Sequence, residues 1–159
     1  MQIQKNKSGN LEIKSKKATV VFDGKVVVND VELEGAGEYE ISEIAIEGID
    51  DDIYIFKIED IVLGSVNFKT KITKENIERL ANCDALLVRL DGKVSEAVEQ
   101  AGQIEPDLII YAGTPRASSE LKSSGVSFTK SDSIKLTKTD IGQEKAYFIE
   151  LADGNDQNL

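Results

Sequence analysis

The chain has 159 residues, 40% of them hydrophobic, which is enough for one domain with a real core and too little for two. Nineteen basic against twenty-nine acidic residues leave a net charge of −10, which opposes nucleic-acid phosphates and anionic lipid alike, so neither partner is expected. No apolar run approaches the roughly 18 residues that span a bilayer, and "MQIQKNKSGN" has no apolar core of a secretory signal, so a cytoplasmic location is expected.

Residues 1–10 are polar and are expected to form a flexible N-terminus. "LEIKSKKATVVFDGKVVV" then reads as hairpin strands, with "SKK" and "DG" as turn signals. Gly35-Ala36-Gly37 reads as a backbone turn needing positive φ; no helix follows it, so it is not a dinucleotide fingerprint. Val31, Leu33, Tyr39, Ile41, Ile44 and Ile46 alternate with polar residues, as in a sheet with one wet face. "DIYIF" is apolar on both faces and reads as a central strand, returning through a hairpin at Glu59-Asp60 to Ile61, Val62 and Leu63.

The second half changes character. Thr73 is a plausible N-cap for a helix whose Ile77, Leu80 and Ala81 make one apolar stripe. "ALLVRL" (85–90) is a two-sided strand, and Val94, Ala97, Val98 and Ala101 recur at helical spacing. "DLIIYA" (107–112) is another buried strand, and Thr114-Pro115 opens a third helix ending near Gly125. Strands at 134–137 and 145–151 close the domain, expected to span 11–151, and residues 152–159 are expected to be a disordered tail. The class is α+β, helix-free first and strand–helix alternating afterwards.

"ATVVFD" (18–23), "GAGEYEISEIAIEGI" (35–49), "IYIFKIEDIVLGS" (53–65) and "AVEQAGQIEPDLIIYAG" (97–113), in that order, resemble the metallo-β-lactamase fold. The nearest branch is that of small bacterial hydrolases similar to ascorbate-phosphate lactonases. The resemblance implies a reduced αββα sandwich and, for the family, two metal ions held by histidines and a bridging aspartate. This chain has no histidine. The segment that would carry the family's HxHxDH motif is cut to "GKVVVNDVELE", and the loop after Gly48-Ile49 is reduced to Asp50-Asp51-Asp52. Val62 and Ser65 stand where the resemblance would put a histidine and the bridging aspartate; Gly113 takes the final histidine position, and Ser8-Gly9 the N-terminal one. The resemblance without its ligands implies a filled relic site with Val62 buried, and no catalytic, cofactor or metal residues and no cofactor.

The remaining reactive side chains have ordinary explanations beside the functional ones. Asp50, Asp51 and Asp52 could offer oxygens to a hard cation, but they lack EF-hand spacing, and acidic triplets are usually solvated turns. Glu38 and Glu40 share a strand face that could mimic an acid/base pair or simply be wet. Ser118, Ser119, Ser123 and Ser124 lie on or beside a helix with no partner at catalytic spacing. Cys83 is the only cysteine, so it makes no internal disulfide and has no histidine to activate it. Two functions follow: a non-catalytic structural or protein-interaction module, or a hydrolase using carboxylates or a serine on the relic scaffold. The apolar run Val26-Val27-Val28, with a helix missing beside it, further leads to an expected homodimer or protein partner through the N-terminal sheet or its edge.

Overall fold

A computed structural model describes residues 1–152. Their secondary structure is arranged as two β-sheets and one layer of helices. Strands β1 (Gln2–Lys5), β2 (Leu11–Lys14), β3 (Thr19–Phe22), β4 (Val26–Val28) and β5 (Val31–Glu32) form one antiparallel sheet. A late strand, β13 (Ser133–Lys135), joins its far edge, giving the order β13-β1-β2-β3-β4-β5.

The second sheet begins with the antiparallel strands β6 (Gly37–Ile41), β7 (Ile44–Asp50), β8 (Ile53–Ile58) and β9 (Ile61–Val66). It continues in parallel through β10 (Ala85–Arg89), β11 (Leu108–Gly113), β14 (Lys145–Glu150) and β12 (Thr129–Lys130). Parallel neighbours need crossovers, and α1 (Lys74–Ala81), α2 (Val94–Ile104) and α3 (Pro115–Ser123) supply them. Thr73 and Thr114 cap α1 and α3 by accepting from the Asn76 and Ala117 amides.

Tight turns set the antiparallel register. Asn29-Asp30, Ser42-Glu43 and Glu59-Asp60 join β4 to β5, β6 to β7 and β8 to β9, and both residues of each pair have positive φ. That geometry matches the right-handed twist of paired strands. Gly35, at φ +71°, supplies the left-handed step before β6, as the Gly35-Ala36-Gly37 turn requires.

Two apolar layers hold the assembly. Between the sheets, Ile3, Ile13, Val20 and Val28 meet Phe56, Leu63, Leu87 and Ile110. On the other face of the larger sheet, Val66, Leu86, Val88 and Phe148 meet Leu80, Ala97, Ala101 and Leu121 from the helices. Helix α1 approaches β9 closely because residue 64 is glycine; a Cβ there would lie 2.8 Å from Leu80 Cδ2. Among the described residues, no helix is long and apolar enough to cross a membrane.

Several expectations change. Residues 1–10 are not a loose end: β1 sits between β2 and β13, with Ile3 fully buried. The run Val26-Val27-Val28 does alternate once folded, because Val26 and Val28 face the intersheet core and Val27 is half-buried on the outside. In the helical stripe, Ala81 is exposed while Leu80 is buried. The αββα description overstates the helices, since among the described residues all three cover the eight-stranded sheet. The outer face of the six-stranded sheet carries polar pairs beside half-buried Val21 and Val27. Gln4 donates to Glu12 at 2.7 Å, and Gln2 donates to Ser133 at 2.5 Å. Of the expected tail, Ala152 donates its amide to the Gly9 carbonyl at 3.2 Å, and residues 153–159 lie outside the described residues.

Candidate functional site

Strands β9, β10 and β11 run parallel, so their C-terminal ends gather at one edge of the sheet. In open α/β sheets that edge is where ligands bind, because loops rather than packed strands surround it. A cleft of about 580 Å³ opens there, between the two sheets. Phe22 and Leu11 come from the six-stranded sheet, Tyr54, Asn67 and Arg89 from the larger one, and Gly113-Thr114 from the β11–α3 junction.

The register explains why its floor is polar. Alternation places Leu63, Ser65, Leu87 and Arg89 toward the other sheet, and Asn67 continues that row beyond β9. Three buried polar atoms in this region have no hydrogen-bond partner: Ser65 Oγ, Asn67 Oδ1 and Arg89 Nε. Ser65 is completely buried, deeper than the cleft, between Tyr54 and Leu87 on the neighbouring strands.

Arg89 dominates the site. Its Nη2 donates to the Asp52 carbonyl at 3.2 Å, and its Cζ stands 4.9 Å from the centre of the Phe22 ring. Arg79 and Arg116 are ion-paired with Glu47 and Glu120, whereas Arg89 has no ion pair among the described residues. Burial holds its pKa below the ordinary arginine range, opposed by the charges of Asp91 and Asp52 and by Tyr54. It remains a cation at any ordinary pH. Burial, with help from Asp51, in turn raises the Tyr54 phenol above its ordinary value.

The other sequence candidates fall in different places. Val62 is half-buried at the opposite end of β9 from the cleft, where Lys57 is its cross-strand neighbour, so no side chain at 62 would reach the site. Val62, expected to be largely buried in the relic site, is therefore only half-buried and lies away from the cleft. Gly113 does line the cleft, and the space for a side chain there is gone: a Cβ would lie 2.9 Å from Ala117 Cβ and 3.2 Å from Leu90 Cβ. Gly9 lines the rim beside Ala152.

Asp51 and Asp52 border the cleft, while the Asp50 carboxylate accepts the Asp52 amide at 2.8 Å and closes its own turn. Among the described residues, no three His, Cys, Asp or Glu side chains are grouped to hold a metal ion. Glu38 and Glu40 are exposed on edge strand β6, away from this site, with Glu38 opposite Glu47. Ser119, Ser123 and Ser124 donate to carbonyls four residues back on α3, and Ser118 is buried on that helix. Burial first, and then Asp84, push the Cys83 thiol up to about 11, which leaves little thiolate near neutral pH.

Arg89 and Asn67 are the residues that sequence reading passed over. A lone arginine ending an apolar strand, "ALLVR", was the available signal, since a two-sided strand seldom buries a charge without a use for it. No protein-family model, curated protein or solved structure matches the chain.

Proposed function

We propose that the chain is a non-catalytic domain of reduced metallo-β-lactamase-like architecture, acting as a structural or protein-interaction module. The observation that carries this reading is the cleft itself. Where hydrolytic chemistry on such a scaffold needs a bound hydroxide or an activated nucleophile, this cleft has an unpaired arginine and an amide on its floor and carboxylates on its rim that, among the described residues, are not grouped to hold a metal ion. Ser65 is sealed beneath it, and the serines of α3 are bonded to their own helix or buried elsewhere.

The partner face in this reading is the N-terminal sheet at its β5 edge. Strand β5 ends the strand order, so its outer backbone edge pairs with no other strand of the sheet. Val31, on that strand, is the exposed large hydrophobic residue among the described residues, at 48% exposure. Val26 and Val28 face the intersheet core, so of the sheet's face and its edge the edge is the surface left for a partner.

Two measurements test the proposal. Purified protein is assayed on a lactone, an aryl ester and a phosphodiester, with and without chelator, and its zinc is measured by elemental analysis. The expected outcome is no turnover above buffer and no stoichiometric zinc. Turnover that survives chelator and co-purifies with the protein would favour the carboxylate- or serine-based hydrolase instead. For the interface, sedimentation equilibrium at micromolar concentration is compared between the chain and Val31→Lys. Self-association lost in the variant supports a homodimer at the β5 edge; a monomer in both leaves only a different protein as partner.

A further inference from the structure

A guanidinium partly withdrawn from water is stabilised by a close counter-charge, and Arg89 is half-buried, with its Nε fully enclosed. Among the described residues, Arg89 donates to one carbonyl and lies over the face of Phe22, and neither contact supplies a full negative charge. Its Nε and the neighbouring Asn67 Oδ1 both remain unpartnered, one a donor and the other an acceptor. Asn67 is 95% buried, so solvent at large does not serve it, yet it lines the same cleft as Arg89. At about 580 Å³ that cleft is within the range that holds small molecules.

We propose that the cleft binds a small zwitterionic molecule of the amino-acid class, with its carboxylate on Arg89 and its ammonium group toward the acidic rim. The planar carboxylate offers two oxygens to the guanidinium fork, a pairing stronger and more directional than a neutral hydrogen bond. The rim decides against a plain anion. Glu32, Glu34, Asp51, Asp52 and Asp91 line the cleft and outnumber its two lysines, Lys69 and Lys25, the latter paired with Glu32 at 3.2 Å. Phosphate or a dicarboxylate would meet those like charges. A zwitterion instead places a cation among them while its carboxylate pairs with the Arg89 guanidinium. The reading stands independently of how the chain meets other proteins, because the cleft and the β5 edge are assayed separately.

Arginine side-chain Nε–H signals test this directly in the ¹⁵N-labelled full chain. The sequence holds three arginines, and the Arg89 signal is identified by its loss in Arg89→Gln. The probes are 4-aminobutyrate, acetate and inorganic phosphate, each titrated to roughly 50 mM. The expected result is a saturable shift of the Arg89 signal with 4-aminobutyrate, with affinity for acetate and phosphate at least about tenfold weaker. Asp91→Asn should weaken 4-aminobutyrate toward the level of acetate. Backbone amides of Asn67 and Thr114 report on the variants, and their response to 4-aminobutyrate should vanish in Arg89→Gln. If that variant fails to fold, Arg89→Lys keeps the charge but loses the fork, and should lose the response in a folded spectrum. No saturable shift with any probe, a response that survives loss of the guanidinium, or phosphate or acetate binding as tightly as 4-aminobutyrate would each overturn the proposal.

Discussion

Replacing Ser65 with alanine should stabilise the protein, although most core substitutions destabilise. Ser65 is completely buried in the intersheet layer, and its Oγ has no hydrogen-bond partner. An unsatisfied buried polar group costs about 1–3 kcal/mol relative to its hydrated state. Alanine keeps the Cβ packed beside Tyr54 and Leu87 and removes only the hydroxyl. The space left is smaller than a methyl group, and a methyl-sized void costs about 1 kcal/mol. The net gain is therefore about 1 kcal/mol, or about 2–4 °C in Tm for a chain of this size. Urea denaturation monitored by circular dichroism measures it, with Ser65→Val as the control. Valine adds volume to a filled layer and should destabilise by about 1–3 kcal/mol. A Ser65→Ala variant less stable than the parent by 1 kcal/mol or more would refute the reasoning, by showing that the hydroxyl has a bonded partner such as an enclosed water.

Three further outcomes follow from single contacts. Gln100 Oε1 accepts the buried Ile72 amide at 2.7 Å, tying the β9–α1 connection to α2, so Gln100→Leu should cost about 1–3 kcal/mol by urea titration. Gly113→Ala should likewise lower stability by about 1–3 kcal/mol, because its Cβ would press on Ala117 and Leu90; an unchanged melting curve would show that the β11–α3 junction yields freely. Asp140 accepts the Thr137 amide at 2.8 Å, which holds its carboxyl below the ordinary aspartate value of 3.8 against an opposing desolvation. Because the folded pKa is the lower one, this contribution is complete above the unfolded pKa and disappears as pH falls through the folded pKa. A carboxyl-carbon NMR titration should place its midpoint below 3.8, and Asp140→Asn should remove that part of the acid sensitivity.

The helices and tight turns were legible because their signals act over three or four residues. Thr73 and Thr114 cap their helices by bonding amides three positions on, and the two-residue turn at Glu59-Asp60 lies between two apolar runs. The absence of histidine likewise decided from composition alone that no imidazole can bind a metal ion in this chain. What lay beyond reach was everything fixed by partners distant in sequence. "QIQK" reads as a polar end, and becomes a strand because Gln2, Ile3 and Gln4 pair with Lys135, Ile134 and Ser133. Those bonds close a loop of more than 100 residues, whose contacts no local window contains. Val62 and Asn67 lie five positions apart on or just past one strand, yet only the far end of β9 opens to the cleft. Which end opens depends on where the six-stranded sheet packs against the larger one. Arg89 ends an apolar run in either view, but its enclosed, unpartnered Nε exists only once Phe22, Asp52 and Asn67 have been brought around it. A local pattern specifies which face of a strand is apolar; the electrostatic state of a side chain is set by the neighbours that folding delivers.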